Sequence, residues 1–347
     1  MAEMANFSNL ADTGFKRIAI VGAGAIGGFI GTRLADAGQG RQVSALARGA
    51  TLQALREHGW RLQQQGELIQ APAHRVSDDP AELGEQDLIV IAVKAPALVQ
   101  VAERIRPMIG PRTVLLPAMN GVPWWFGYGV PAIGDQALDS VDPGGRIAAA
   151  LPFSQVVACV VHASTATSEP GLVRHAMGAG LIVGEPQGGP GERADRVAAL
   201  LKDAGFEARA VPDIRHHLWY KLWGNLTMNP LTAITGATSD RVLDDPLVRK
   251  FCTDAMLECQ AVGARIGCPI EQTPEERHLI TRKLGAFKTS MLQDVEAGRP
   301  MELDGIVTAV HEIALRVGVP TPSIDALLGL ARLFGRAHGL YPQAAAG

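Results

Sequence analysis

The apolar pattern begins with a short continuous run, Ile18-Ala19-Ile20-Val21, which reads as a strand. A glycine-rich turn follows, and the apolar segment after it reads as a helix. Gln42-Val43-Ser44-Ala45-Leu46-Ala47 predicts a second strand, residues 51–58 a helix, and residues 60–69 a strand or hairpin. Asp87-Leu88-Ile89-Val90-Ile91-Ala92-Val93 is apolar without alternation, the pattern of a strand buried on both faces of a parallel sheet. Residues 98–108 read as a crossover helix and Thr113-Val114-Leu115-Leu116 as the next strand. Strands over 156–161 and 181–183, an amphipathic helix over 192–204 and a short strand over 208–211 complete this half. Strand and helix alternate throughout, so the expected class is α/β, a doubly wound and mostly parallel sheet.

The rhythm changes at Asp213, a candidate N-cap. Helices are expected from there on, over 246–266, 274–294, 302–317 and 323–337, with glycine and proline at the joints. No strand pattern is present, which makes this part all-α. The predicted division is a flexible extension over 1–14, a Rossmann-type domain over 15–212 and a helical domain over 213–347. The tail beyond Tyr341 is expected to fray. One stretch stands apart. Residues 120–155 are rich in glycine, proline and aromatics, including Trp124-Trp125-Phe126-Gly127-Tyr128. A loop of that length is uncommon, and two readings stand: its rings line a pocket, or they pack the loop or a domain interface.

Composition narrows the classes. With 347 residues, 47% hydrophobic and 19% charged, the chain can bury two cores. A net charge of −3 without a basic block gives nucleic-acid binding no support. Cys159, Cys252, Cys259 and Cys268 show no metal or disulfide spacing and suit a reducing, cytoplasmic setting. The N-terminus lacks a basic n-region. The apolar stretch over 18–34 is interrupted by glycines and Arg33, so no membrane span is expected. Adjacent His216 and His217 do not share a helix face, so no metal site is expected.

The turn Gly22-Ala23-Gly24-Ala25-Ile26-Gly27 is a GxGxxG motif between strand and helix. Such a turn brings backbone N–H groups and a helix N-terminus to a pyrophosphate, so Gly22, Gly24, Ala25, Ile26 and Gly27 are expected to bind a dinucleotide. No acidic residue lies between Asp36 and Glu57, where a carboxylate would take a ribose 2′-hydroxyl. Arg48 stands just past the second strand instead, which favours NADP(H), with Arg41 and Arg56 as competitors. Lys94 and Asn120 follow strands at the edge where parallel sheets bind ligands. Lys221, Asn225 and Asn229 recur every four residues among Trp219, Leu222, Trp223 and Leu226. A lysine among such neighbours is partly desolvated, which lowers its pKa and suits proton donation. A solvated polar stripe is the other reading of the same spacing.

These motifs resemble those of the ketopantoate reductases, also called 2-dehydropantoate 2-reductases. The resemblance rests on the glycine turn, Lys94, Asn120-Gly121, Lys221-Leu222-Trp223-Gly224-Asn225-Leu226-Thr227-Met228-Asn229-Pro230, and Ser290-Met291-Leu292-Gln293-Asp294 followed by Gly298-Arg299-Pro300-Met301-Glu302. It implies a Rossmann domain joined to an all-α domain and NADPH-dependent reduction of 2-dehydropantoate to (R)-pantoate, on the route to coenzyme A. It further implies Lys221 as general acid and Glu302 as an acidic group near the reacting centre. Asn225 and Asn229 would hold substrate oxygens and Ser290 the substrate carboxylate. Lys94 and Asn120 would contact cofactor and substrate, and Arg48 the 2′-phosphate. The sequence departs from the common pattern at Ser239, at Gly305 and in the aromatic stretch. A paralogue acting on a bulkier or aromatic 2-oxo acid, of the D-mandelate dehydrogenase type, is one alternative. A non-catalytic NADP(H) sensor is another. A homodimer contact through Leu327, Leu328, Leu330 and Leu333, or simply core packing there, is left open.

Overall fold

The protein is described by a computed structural model, which covers residues 14–134 and 136–343. The extension predicted over 1–14 therefore lies outside the described residues except for Gly14, as do the last four residues of the tail. The first half runs β1 (Arg17–Val21), α1 (Ala25–Asp36), β2 (Gln42–Leu46), α2 (Gly49–His58), β3 (Trp60–Gln64), β4 (Glu67–Ala71), β5 (Val76–Ser77), α3 (Pro80–Leu83), β6 (Gln86–Ile91), α4 (Leu98–Arg104), β7 (Ile109–Pro117), α5 (Arg146–Ala150), β8 (Ala158–Glu169), β9 (Leu172–Gly184), α6 (Glu192–Asp203) and β10 (Glu207–Ala210). Helices alone follow among the described residues: α7 (Ile214–Thr235), α8 (Ser239–Asp244), α9 (Pro246–Arg265), α10 (Pro274–Arg282), α11 (Ser290–Glu296), α12 (Ala309–Val317) and α13 (Pro322–Ala337).

Five parallel strands form the first sheet in the order β5-β2-β1-β6-β7. A second sheet has the order β10-β9-β3-β4, with β8 antiparallel along β9. A parallel bridge between Leu115 and Val156 joins the two. The central strands explain their own composition. In β1 and β6, Ala19, Val21, Ile89 and Ile91 face one core, while Ile18, Ile20, Leu88 and Val90 face another. Both faces are covered, so alternation disappears from the sequence. The first of these cores continues without a break into the helical domain, through Trp219, Met256, Ile313 and Leu328.

Several expectations need correction. The two short strands over 156–161 and 181–183 are the inner ends of the long β8/β9 hairpin. Its outer half carries polar and half-exposed side chains, which hide it from an apolar-run reading. The single helix expected over 274–294 is two, α10 and α11, separated by residues 283–289. The helix expected from residue 302 begins as a π turn, Asp304–Thr308, before α12. The stretch over 120–155 is not all loop, since it contains α5 and two short 3₁₀ turns. Buried Asp142 holds the start of α5 by accepting from the Ile147 and Ala148 amides. Leu327 and Leu328 belong to the core; Leu330 and Leu333 are exposed on α13.

The rings of Trp124, Trp125 and Phe126 do not line a cleft. Trp124, Trp125 and Phe126 are at most 1% exposed. Phe126 stacks on Trp219 of α7 with centroids 5.8 Å apart. The Arg215 guanidinium lies over both Trp125 and Phe126. Further along, Glu312 of α12 accepts from the Ser140 hydroxyl and from the Asp139 and Ser140 amides. The segment thus braces α7 and α12 from behind. Trp125→Ala should therefore cost about 3–5 kcal/mol of stability, the range for truncating a buried large aromatic. Chemical denaturation measures this, and ligand selectivity should stay as in the wild type.

Candidate active site

The carboxyl ends of β1, β2, β6 and β7 lie on one edge of the parallel sheet, and the sequence-predicted residues gather there. Gly22, at φ +90°, turns the chain out of β1 beneath β6, where a Cβ would meet the Ala92 carbonyl oxygen at 2.8 Å. A Cβ at Gly27 would collide with the Gly22 carbonyl oxygen, so the turn closes only with glycine at both positions. Gly24 faces open space and caps α1 without any side-chain hydrogen bond. The first N–H groups of α1, at Ala25 and Ile26, are thus offered outward, as phosphate binding requires. Arg48 sits exposed just beyond β2 at the N-cap of α2. Its two competitors are occupied. Arg41 is ion-paired with Asp203 at 3.0 Å, and Arg56 donates to the Val76 carbonyl. The Arg48 guanidinium has no hydrogen-bond or ion-pair partner among the described residues, so it remains available to an anion.

Lys94 follows β6 and crosses to the helical domain. Its Nζ meets Asp294 of α11 at 2.5 Å and Glu302 at 2.9 Å. Burial works against this charge, but the two carboxylates outweigh it and raise the pKa. Glu302 also accepts from the Ala95 amide at 3.1 Å, and Asp294 from Arg299 Nε at 2.9 Å. Asp294 was not among the expected site residues. Its signal lay in its place within the Ser290-to-Asp294 block and in an arginine five residues on, which alone suggests only a local pair. Glu302, expected near the reacting centre, is engaged by Lys94 and the Ala95 amide.

The helical-domain contribution centres on α7. Lys221 Nζ donates to Asn120 Oδ1 at 2.7 Å and to the Val161 carbonyl of β8 at 2.6 Å. Both acceptors are neutral. Burial therefore dominates and pushes the lysine pKa down to about 8, slightly opposed by the nearby Cys159 thiol. Burial also pushes the Cys159 thiol up to about 12, so it stays protonated. A narrow slot of about 10 Å³, room for one water, is lined by Asn120, Gly121, Cys159, Leu218, Lys221 and Asn225. Gly121 adopts φ +84°, and a Cβ there would lie 2.5 Å from the Gly305 carbonyl oxygen of the π turn. The neighbouring Val122 amide donates to that same oxygen at 2.6 Å. This close approach fixes Asn120 against the helices and accounts for the glycine at 121.

Asn225 joins Lys221 in the slot, and Asn229 lies deeper, 5% exposed. Ser290 is exposed at the first position of α11. Its neighbour Thr289 pairs with Thr232 of α7 at 2.6 Å, one turn beyond Asn229. Ser239 is turned away, buried, with its hydroxyl donating to Gly285. Arg48, Lys94, Asn120, Lys221 and Glu302 thus cluster at or across the edge where sheet meets helices. No group of three or more His, Cys, Asp or Glu side chains could hold a metal among the described residues. No helix there is long and apolar enough to cross a membrane.

Comparison with known proteins agrees with this architecture. The ketopantoate reductase PanE/ApbA family profile matches residues 18–188, and the ketopantoate reductase PanE/ApbA C-terminal profile matches residues 213–334. A curated 2-dehydropantoate 2-reductase of Mesorhizobium japonicum is 41% identical over 94% of this chain and 99% of its own. A crystal structure of a candidate ketopantoate reductase from Ralstonia solanacearum MolK2 is 54% identical, covering 94% of this chain and all of its own, with a TM-score of 0.89. A D-mandelate dehydrogenase solved with NADH and anilino(oxo)acetate shares the fold, at 22% identity, a TM-score of 0.79, and coverage of 93% of this chain and 99% of its own. With both halves matched in order and the fold retained end to end, the chain belongs to the ketopantoate reductase family.

Proposed function

We propose that this oxidoreductase reduces a 2-oxo acid to the (R)-2-hydroxy acid with NADPH, and that the substrate is 2-dehydropantoate, giving (R)-pantoate on the route to coenzyme A. The observation that carries this reading is Lys221, largely buried at the seam with two neutral oxygen partners and a pKa lowered to about 8. A ketone gains negative charge on oxygen as it is reduced. A cationic N–H donor there both stabilises that charge and delivers the proton. Near neutral pH the amine is charged yet a far stronger acid than an ordinary lysine. Asn120 orients it from the sheet side. Asn225 and Asn229 offer amide groups along the same helix to the substrate oxygens, and Ser290 offers a hydroxyl to its carboxylate. Lys94 positions Glu302 beside the cofactor edge.

The glycine turn fits a dinucleotide, since Gly24 leaves open space and α1 is uncapped. NADPH when bound there supplies the hydride. Arg48 would take its 2′-phosphate, an assignment supported by the acidic gap after Asp36 and by the engagement of Arg41 and Arg56 elsewhere. The name of the Mesorhizobium relative favours 2-dehydropantoate. The bulky-substrate alternative leaned on the aromatic stretch, and those rings are buried. A sensor would have no use for a buried, acid-tuned lysine. Four buried, free cysteines accord with a cytoplasmic setting.

Two outcomes test this reading. Lys221→Ala should lower kcat for 2-oxo acid reduction by about 10²–10⁴-fold, the usual loss for a general acid, with NADPH affinity little affected. In the wild type the reduction rate should be level below pH 8 and fall about tenfold per pH unit above it, because the depressed lysine loses its proton there. Near-normal turnover in the alanine variant would remove Lys221 from the chemistry. For the cofactor, Arg48→Ala should weaken NADPH binding by about 10- to 100-fold and leave NADH binding nearly unchanged. Parallel fluorescence titrations give both constants, and equal losses would exclude Arg48 as the reader of the 2′-phosphate.

A further inference from the structure

Arg277, on the first turn of α10, has no role in the account above. Its guanidinium lies against α7 where residue 224 is glycine. A Cβ at that position would come within 2.6 Å of Nη2 and 2.8 Å of Nε. Cζ sits over the Tyr220 ring, 5.1 Å from its centroid. Tyr220 and Gly224 flank Lys221 on the same helix. None of the Arg277 side-chain nitrogens has a carboxylate or other hydrogen-bond partner among the described residues, and Nε is buried in that state. Arg282, five residues on, is by contrast paired with Asp244 at 2.7 Å.

The surroundings do not supply the missing partner. His162 follows the Val161 carbonyl that holds Lys221. Desolvation brings its pKa down to about 4, and the charges of Lys221, Arg277, His217 and Arg209 press the same way. Asp213 lies 3.5 Å from His217 and forms no ion pair with Arg277 among the described residues. A buried polar group without a partner calls for one from outside, and a planar guanidinium seated on a ring and a glycine is already oriented for an oxygen acceptor.

Direction along α7 narrows which oxygen. From Lys221 the stripe Asn225, Asn229 and then the Thr232–Thr289 contact beside Ser290 runs towards the helix C-terminus. Arg277 lies on the other flank, at Tyr220 and Gly224. With the ketone at Lys221 and the carboxylate towards Ser290, the remaining arm of the substrate is its side chain. We propose that Arg277 is a specificity-determining residue that donates to an oxygen, hydroxyl or carboxylate, carried on the side chain of the 2-oxo acid. The cleft then selects such substrates over apolar ones of the same shape. This rests on Lys221 marking the site of ketone reduction.

Two matched pairs test it: 2-dehydropantoate with 3,3-dimethyl-2-oxobutanoate, and 2-oxoglutarate with 2-oxopentanoate. The wild type should favour the oxygen-bearing member by about 10- to 100-fold in kcat/KM in at least one pair, the range for a charge-assisted hydrogen bond. Arg277→Leu should shrink that preference to within about threefold, by slowing the oxygen-bearing member far more than its counterpart. Gly224→Ala retains the charge but displaces the guanidinium, so it should act in the same direction and add nothing in the double variant. It also decides the matter if the leucine variant does not fold. A preference that survives both variants, or an equal loss on both members of a pair, overturns the proposal. So does a wild type that reduces both members equally well, in which case the Lys221 reading stands. A wild type that binds NADPH yet reduces none of the four sinks the 2-oxo acid reading and this proposal with it.

Discussion

An ammonium group withdrawn from water must find oxygen, and the arrangement of this protein around Lys221 follows from that need. The oxygens come from the other side of the molecule, Asn120 after β7 and the Val161 carbonyl of β8. Neither carries charge, so the amine is solvated but not neutralised, and its acidity rises. Lys94 shows the opposite choice. It leaves the sheet to meet two carboxylates of the helical domain, and its charge is secured. The two lysines cross the same seam in opposite directions. One is held by neutral partners and the other by anions.

The seam can be specific because the packing behind it is not shared with it. Trp219 and Trp223 point away from Lys221, donate their indole N–H groups to the Cys259 and Met256 carbonyls, and are fully buried. The aromatic stretch closes over Trp219 from the sheet side. Large apolar area is thus concentrated on one face of α7, where it sets the position of the helix. The polar residues at 221, 225 and 229 occupy the other face, where Lys221 ties the helix to Asn120 and β8.

Much of this was legible in the sequence, for reasons that differ by element. The glycine turn, the apolar strand over residues 88–91 and the four-residue period of Lys221, Asn225 and Asn229 each encode geometry locally, and each lies where its pattern placed it. The α/β-then-α class followed from those patterns. The β8/β9 hairpin was underestimated because its outer half is polar and meets solvent. The break between α10 and α11 shows in the sequence only as Gly285, which takes φ +64°, with no proline beside it to reinforce the stop. The role of Trp124, Trp125 and Phe126 was undecidable from sequence, since a buried ring and a pocket ring look alike until their neighbours are known. Ser290 and Glu302 came only through family resemblance. Asp294 and Arg277 matter through contacts with residues far away along the chain, which no local pattern records.

The acidity of Lys221 belongs to the junction rather than to the helix that bears it. Any separation of α7 from β8 and Asn120 would rehydrate the amine and return its affinity for protons towards that of a free lysine. The slot beside Lys221 has room for a single water, so a larger ligand seated there requires some such parting. On the function proposed for Lys221, such a parting would recharge the amine from solvent, and closure would restore its acidity. Proton loading and ligand exchange would then be two aspects of one movement.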